Sequence, residues 1–412
     1  MKSILFITYC FPPIFVPATI RNLKLMKGLV DQGYKIYALS IDANSFEAKT
    51  KLDSDLNRIV PNEIINRKVW SLETNLFFRI IKKLRVLYKL YVPYKTEWYF
   101  PAVRSAKRLK DYDIIFSCSK PDSCHLVGYY LKKTTGKPWI AYFSDPWLNN
   151  PYENYKSKRI YNYNLKLENQ VITNADRILF TTKETQAFVM KKYPDSFFNK
   201  TGIIPHSFIS EWYDLSNGDV FHKRDEKKRL IHTGHFYGPR TPMPLLKTLK
   251  RLKEKIKKAH EKMEFCLFGN IDSKYQNIIS EDGLADIVKI YNTVPYIKSL
   301  NLIKNADYLL LLDAPLTITQ ESIFLPSKLI EYIGSYNKVI GITPERGASA
   351  NVLRDTGNLV CDIQDEDYIY EVFKALFDGD LVIKPRREKI EKYNYKTISR
   401  DLSGIIEQIN KY

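Results

Sequence analysis

The chain is short of the features that mark several protein classes. Its 412 residues include only five cysteines: Cys10, Cys118, Cys124, Cys266 and Cys361. None forms a CxxC pair or has metal-ligand spacing, so they read as reduced thiols of a cytosolic protein, with no metal expected. No apolar run approaches the roughly 20 residues that a bilayer-spanning helix needs. Met1-Lys2-Ser3 runs directly into a strand-like segment, so no secretory signal is expected. Short repeats, low-complexity segments and RNA-reading motifs are also missing, and nucleic acid is not an expected partner.

Acidic residues are outnumbered, 46 against 64 lysines and arginines, for a net charge of +18. Such an excess favours polyanions, among them anionic lipid headgroups and phosphorylated ligands. Leu76 to Lys110, LFFRIIKKLRVLYKLYVPYKTEWYFPAVRSAKRLK, mixes basic residues with large apolar and aromatic ones. That mixture suits the surface of an anionic membrane. Two core-packed helices with solvated Lys and Arg would carry the same pattern, and both readings stay open. The expected location is the cytoplasm, at the inner face of the cell membrane under the first reading.

What is present points to an α/β chain. Hydrophobic content of 44% and charged content of 27% are ordinary for a globular protein, and the length suggests two domains. Short apolar runs predict strands at Ser3 to Thr8, Lys35 to Ile41, Asp113 to Cys118, Pro138 to Phe143 and Arg177 to Thr182. Others follow at Leu230 to Thr233, Glu264 to Gly269, Val288 to Ile290, Tyr308 to Leu312 and Val339 to Ile342. Helical patterns alternate with them, as in Ile20 to Val30, His125 to Lys133 and Leu245 to Lys257. Such alternation predicts parallel sheets covered by helices. Pro205 to Arg229 turns polar and charged and reads as a linker. Two doubly wound domains with a cleft between them are expected, with ligands beyond the carboxyl ends of the strands.

One segment carries specific chemistry. Leu325-Pro326-Ser327-Lys328-Leu329-Ile330-Glu331-Tyr332-Ile333 is a loop entering a helix, followed by the strand-like Lys338 to Ile342. Ser327 is placed to cap the free amides of the first turn. Those amides and the helix dipole suit a phosphate, and Glu331, four residues on, shares a face with Ser327. A carboxylate there could bind a ribose diol. A core-packed helix with a solvated Glu331 fits the same residues. Asp145 either works on a hydroxyl or caps the turn before Pro146. His125 and His206 stand alone and read as structural.

Taken in order, a set of segments resembles a known family almost end to end. They are Phe11-Pro12-Pro13 with Arg21; Asp113 to Pro121; Trp139 to Trp147; Ala175-Asp176-Arg177-Ile178; Thr233-Gly234 with Tyr237-Gly238-Pro239-Arg240; Phe268-Gly269; Ala306-Asp307; and Leu325 to Tyr332. The family is that of family-4-type retaining glycosyltransferases. The resemblance implies the GT-B fold: two Rossmann-like domains facing a central cleft, with a C-terminal helix returning to the first. Residues 1–205 would bind the acceptor, 206–383 a nucleoside-diphosphate sugar, and 384–412 would form the returning helix.

It also implies transfer with retention, with no metal and no cofactor, the nucleotide sugar being a substrate. Glu331 matches the second glutamate of the family's Glu-x7-Glu motif, which holds the ribose, whereas the first falls on Ile323, with Glu321 two residues away. His235 follows Gly234 where relatives often have arginine, leaving Arg240 as the cation for the diphosphate. The donor side is expected to comprise Gly234, His235, Arg240, Gly269, Ser327, Lys328, Leu329 and Glu331. The acceptor side would comprise Pro13, Arg21 and Asp145, and the catalytic groups Asp145 and Arg240. A polyprenyl-diphosphate-linked glycan in capsule or lipopolysaccharide O-chain assembly is the acceptor that the charge suggests. A nucleotide-sugar epimerase of the same fold and a degenerate binding protein are the competing readings.

Overall fold

The computed structural model describes residues 2–48, 51–75, 80, 96–150, 157–216, 226–236, 239–256, 259–314 and 321–409. Most of the first half of the basic, aromatic stretch from Leu76 therefore lies outside the described residues, as do Tyr237 and Gly238. Among the described residues, no helix is long and apolar enough to cross a membrane.

The chain forms two compact units, residues 1–207 with 395–412, and residues 208–394. In the first, seven parallel strands run β1 (Ser3–Ile7), β2 (Lys35–Ile41), β3 (Ile64–Val69), β4 (Ile114–Cys118), β5 (Trp139–Phe143), β6 (Arg177–Phe180) and β7 (Thr201–Ile203). Their order across the sheet is β3-β2-β1-β4-β5-β6-β7. Every residue of β1, β4 and β5 is buried, as both faces are covered by helices. The edge strands β3 and β7, which the hydrophobic pattern does not reveal, are largely exposed or half-buried.

The second unit has six parallel strands: β8 (Lys228–Thr233), β9 (Met263–Phe268), β10 (Val288–Tyr291), β11 (Tyr308–Leu312), β12 (Lys338–Thr343) and β13 (Leu359–Asp362). Their order, β10-β9-β8-β11-β12-β13, repeats the doubly wound pattern of the first unit. The expected fold class is borne out: two parallel α/β domains of the GT-B type.

Two expectations about the boundaries change. Of the segment read as a linker, residues 217–225 lie outside the described residues, and the part from Phe208 opens the second unit, where Phe208, Trp212 and Tyr213 are buried. Residues 384–394 belong to that unit as well, because the amide of Phe208 donates to Tyr393 O (3.0 Å) and that of Arg386 to Thr356 O (2.8 Å). The segment that rejoins the first unit is the helix Tyr395–Ile409. It buries Ile398, Leu402 and Ile406 beside the helix Pro17–Asp31, each worth about 1.5–3 kcal/mol relative to exposure. The close approach depends on Gly28, where a Cβ would lie 2.5 Å from Ser399 Cβ.

Gly28→Val is expected to force these helices apart, costing about 1–3 kcal/mol, and to lower the melting temperature. Gly404→Ala on the same closing helix, where added carbon meets open space, should leave it unchanged or raise it.

Candidate functional site

In a doubly wound sheet, ligands bind where the strand order reverses, outside the carboxyl ends of the two central strands. In the second unit those strands are β8, ending in His232-Thr233-Gly234, and β11, followed by Asp313. Two glycines shape the crevice. Gly234 has φ +110°, and a Cβ there would lie 2.6 Å from Lys328 Nζ. Gly269 has φ +149°, and a Cβ would lie 2.5 Å from the Gly234 carbonyl oxygen. Only glycine serves at either place, because the conformation is unfavourable for other residues and the space is occupied.

Four charged or titratable groups converge here. His232 is buried, and its Nδ1 lies 2.9 Å from Leu310 O, which places the proton on Nδ1. Its Nε2 is then left to accept a long hydrogen bond from Lys328 Nζ at 3.4 Å. Burial first, then the Lys328 charge, holds the imidazole well below its ordinary value, so it is neutral. Burial and the nearby Arg240 guanidinium bring Lys328 down to about 7, opposed by Asp313. Arg240 is committed to Asp313: Nε and Nη2 each lie 3.0 Å from Oδ1. The other Asp313 oxygen accepts from the hydroxyls of Ser322 (2.7 Å) and Ser349 (2.6 Å).

The helix Ser327–Gly334 brings in the carboxylate. Pro326, not Ser327, occupies the N-cap position, and no side chain caps the helix. The capping role expected of Ser327 is therefore corrected: it is the first helical residue. The Leu329 amide turns back to Pro326 O (2.9 Å), and its side chain is fully buried. Glu331, one turn in, is also buried, and it is not solvated. The Tyr296 hydroxyl donates to its Oε1 at 2.7 Å, and that of Tyr213 lies 3.3 Å from Oε2 while bonding Glu331 O at 2.7 Å. Burial and then the Glu331 charge push both phenols well above their ordinary values, so both remain donors. On the next residue, the Tyr332 hydroxyl accepts from the Thr233 amide at 2.8 Å and so ties the helix to β8.

His235 is exposed and accepts the Asn270 amide on Nδ1 at 3.0 Å. Ile323 is buried, and Glu321 half-buried. Tyr213, Tyr296, His232 and Asp313 were not singled out in the sequence. The available signal was positional for Asp313, which opens a loop after an apolar strand.

The first unit carries the remaining expected residues. Arg21 is buried, with Nη2 on Ser119 O (2.6 Å), Nε on Asn22 Oδ1 (2.9 Å) and the guanidinium 5.2 Å from the Tyr142 ring centroid. It joins the loops after β1 and β4, with Asn22 reaching Thr8 (2.7 Å), so it is a structural clamp and not a surface cation. Asp145, after β5, is half-buried and accepts the Ser144 hydroxyl on Oδ2 at 2.8 Å. Its loop is held by Glu168, which accepts the Leu148 amide at 3.1 Å, and by Trp147 donating to Asn164 at 3.0 Å. Pro13 is half-buried, and its carbonyl accepts the Asp53 amide at 2.8 Å. His125 is structural: fully buried, bonded to the Ser117 hydroxyl at 2.8 Å, and lowered by burial to about 3.

No protein-family model matches the chain, and no curated protein sequence matches it significantly. Solved structures do match in fold. Sucrose-phosphate synthase from Thermosynechococcus elongatus has 13% identity and a TM-score of 0.66, with 100% of both chains covered. A lipopolysaccharide outer core galactosyltransferase has 14% identity and a TM-score of 0.59, with 99% of each chain covered. A candidate UDP-N-acetylglucosamine 2-epimerase from Listeria monocytogenes has 11% identity and a TM-score of 0.60, over 100% of this chain and 98% of that one. Likeness at these identities defines the fold, GT-B, and leaves the chemistry to the site.

Asp313→Ala should strand a buried Arg240 charge and cost about 3–5 kcal/mol, read as an earlier urea transition. Arg240→Met combined with Asp313→Leu should recover most of that loss.

Proposed function

We propose that the protein is a glycosyltransferase that takes a sugar from a nucleoside-diphosphate donor bound on the second unit. The observation that carries this reading is the meeting of Gly234 and Lys328 at the strand-order reversal of that unit, with Glu331 one turn further along the Lys328 helix. The amides of Ser327 and Lys328 open a helix without a side-chain cap, where an anion is favoured. Glu331, a buried carboxylate on that helix, is assigned to the ribose hydroxyls, whose hydrogen bonds a carboxylate can accept. Gly269 and His235 border the same crevice, beside the Gly234 backbone.

Departure of the nucleoside diphosphate builds negative charge, and fixed cations and amides lower that barrier. The family resemblance assigns that cation to Arg240, with no metal or cofactor. Transfer is assigned as retaining. Asp145 on the first unit is assigned to the acceptor hydroxyl, which it orients or deprotonates. The +18 charge supports a lipid-diphosphate-linked glycan acceptor at an anionic membrane, and hence a role in surface polysaccharide assembly. Phe100, 68% exposed beside the basic residues that follow it, supports the same placement. The epimerase reading has less support: it needs acid–base groups at the sugar, whereas His232 is fixed neutral and Asp313 is fully paired.

The test is thermal stabilisation of the full chain by UDP, GDP, ADP, CDP and dTDP, followed by donor hydrolysis with the matching nucleotide sugars. At least one nucleotide should stabilise the protein. Glu331→Gln should weaken it about 10–100-fold, the loss of a charged hydrogen bond. Stabilisation undiminished in both Glu331→Gln and Glu331→Ala defeats the assignment of Glu331, and a product of inverted anomeric configuration defeats retention. Flotation with anionic but not neutral vesicles at low salt is expected; its absence defeats the membrane placement.

A further inference from the structure

Arg240 and Lys328 are both cations at the crevice, but their surroundings differ. The Arg240 guanidinium lies against a buried carboxylate that two serine hydroxyls hold in place, so its charge is compensated within the protein. Among the described residues, Lys328 Nζ has one long hydrogen bond, to a neutral imidazole nitrogen, and it occupies the space that the missing Gly234 side chain leaves. An ammonium has three donors to satisfy. It also stands at the second residue of an uncapped helix, where the local potential is positive. Among the described groups around this amine, Asp313 alone favours its charge, and Arg240 already neutralises Asp313.

We propose that Lys328, and not Arg240, meets the diphosphate, and that each nucleotide bound brings one proton from solvent onto the Lys328 amine. This rests on the donor-site reading above. Arg240 becomes a positioning residue: through Asp313 it holds the loop carrying Ser322 and the helix start carrying Ser349. Gly234 leaves the amine its place, since a Cβ there would stand 2.6 Å from Nζ.

The charged and titratable groups facing Lys328 account for the direction. His232, from β8, stays neutral and offers Nε2. Arg240, from the loop after β8, lowers the lysine, and Asp313, after β11, raises it less than burial lowers it. Tyr332, on its own helix, is a phenol pushed up to about 12 and remains uncharged. With the amine at about 7 in the free protein, much of it is neutral at slightly alkaline pH. A diphosphate raises that value, so binding takes up a proton between the free and bound values. The terminal phosphate, with a pKa of about 6, is fully ionised there and contributes none. Affinity is therefore greatest near and below about pH 7 and falls up to tenfold per pH unit above it.

The experiment is calorimetric titration of the full protein at pH 8 with whichever of UDP, GDP, ADP, CDP and dTDP stabilises it most. Buffers of different ionisation enthalpy report the protons taken up, and a series from pH 6.5 to 9 reports affinity. The native chain should take up close to one proton. Lys328→Arg, charged throughout, should bind with no uptake and a flat profile. Lys328→Met should bind at least tenfold more weakly, with no uptake, while melting normally without nucleotide. Binding with no uptake by the native protein, or uptake that persists in Lys328→Arg, overturns this proposal and leaves the donor site standing. Failure of all five nucleotides to bind overturns the donor-site reading and this proposal with it.

Discussion

The second unit is organised around one buried carboxylate. Asp313 stands just beyond β11, and its two oxygens receive a guanidinium from the loop after β8 and hydroxyls from two later segments. A charge so deep is tolerated only when nearly every lone pair is satisfied, and here four hydrogen bonds do so. The loops that surround the crevice are thereby fixed to one another. The amine of Lys328 and the carboxylate of Glu331 can then be held at defined places on a helix of only eight residues.

The same economy explains why the cations differ in role. A guanidinium presents a rigid fork that suits a permanent pairing with a carboxylate. A lysine is a point charge on a flexible stem whose ionisation responds to its surroundings. The chain uses the first in both units, at Arg21 and Arg240, to join loops after central strands. It places the second, at Lys328, beside a neutral imidazole.

Much of the scaffold was legible in the sequence, and the failures have physical reasons. Central strands such as Tyr308–Leu312 are buried on both faces and read as apolar runs. Ile64–Val69, Thr201–Ile203 and Leu359–Asp362 lie at sheet edges, carry mixed polarity and gave no such run. The turn Ser210–Asp214 was hidden by the charged segment after it, although Trp212 and Tyr213 are core residues. At the site, Gly234, Lys328 and Glu331 were identifiable from spacing and resemblance. The partners that set their chemistry were not, because Asp313 is 73 residues from Arg240 and Tyr213 is 118 from Glu331. A sequence displays a charged side chain without showing what neutralises it.

The path of the chain through its two units has a consequence for biogenesis. Residues 208–394 are continuous, whereas the first unit is interrupted by all of them before Tyr395–Ile409 adds its apolar face. On the ribosome, the second unit can close as soon as its own residues emerge. The first waits, with the groove beside Gly28 still open, for a helix that follows the entire second unit. A helix-shaped, apolar vacancy thus persists through nearly half of translation.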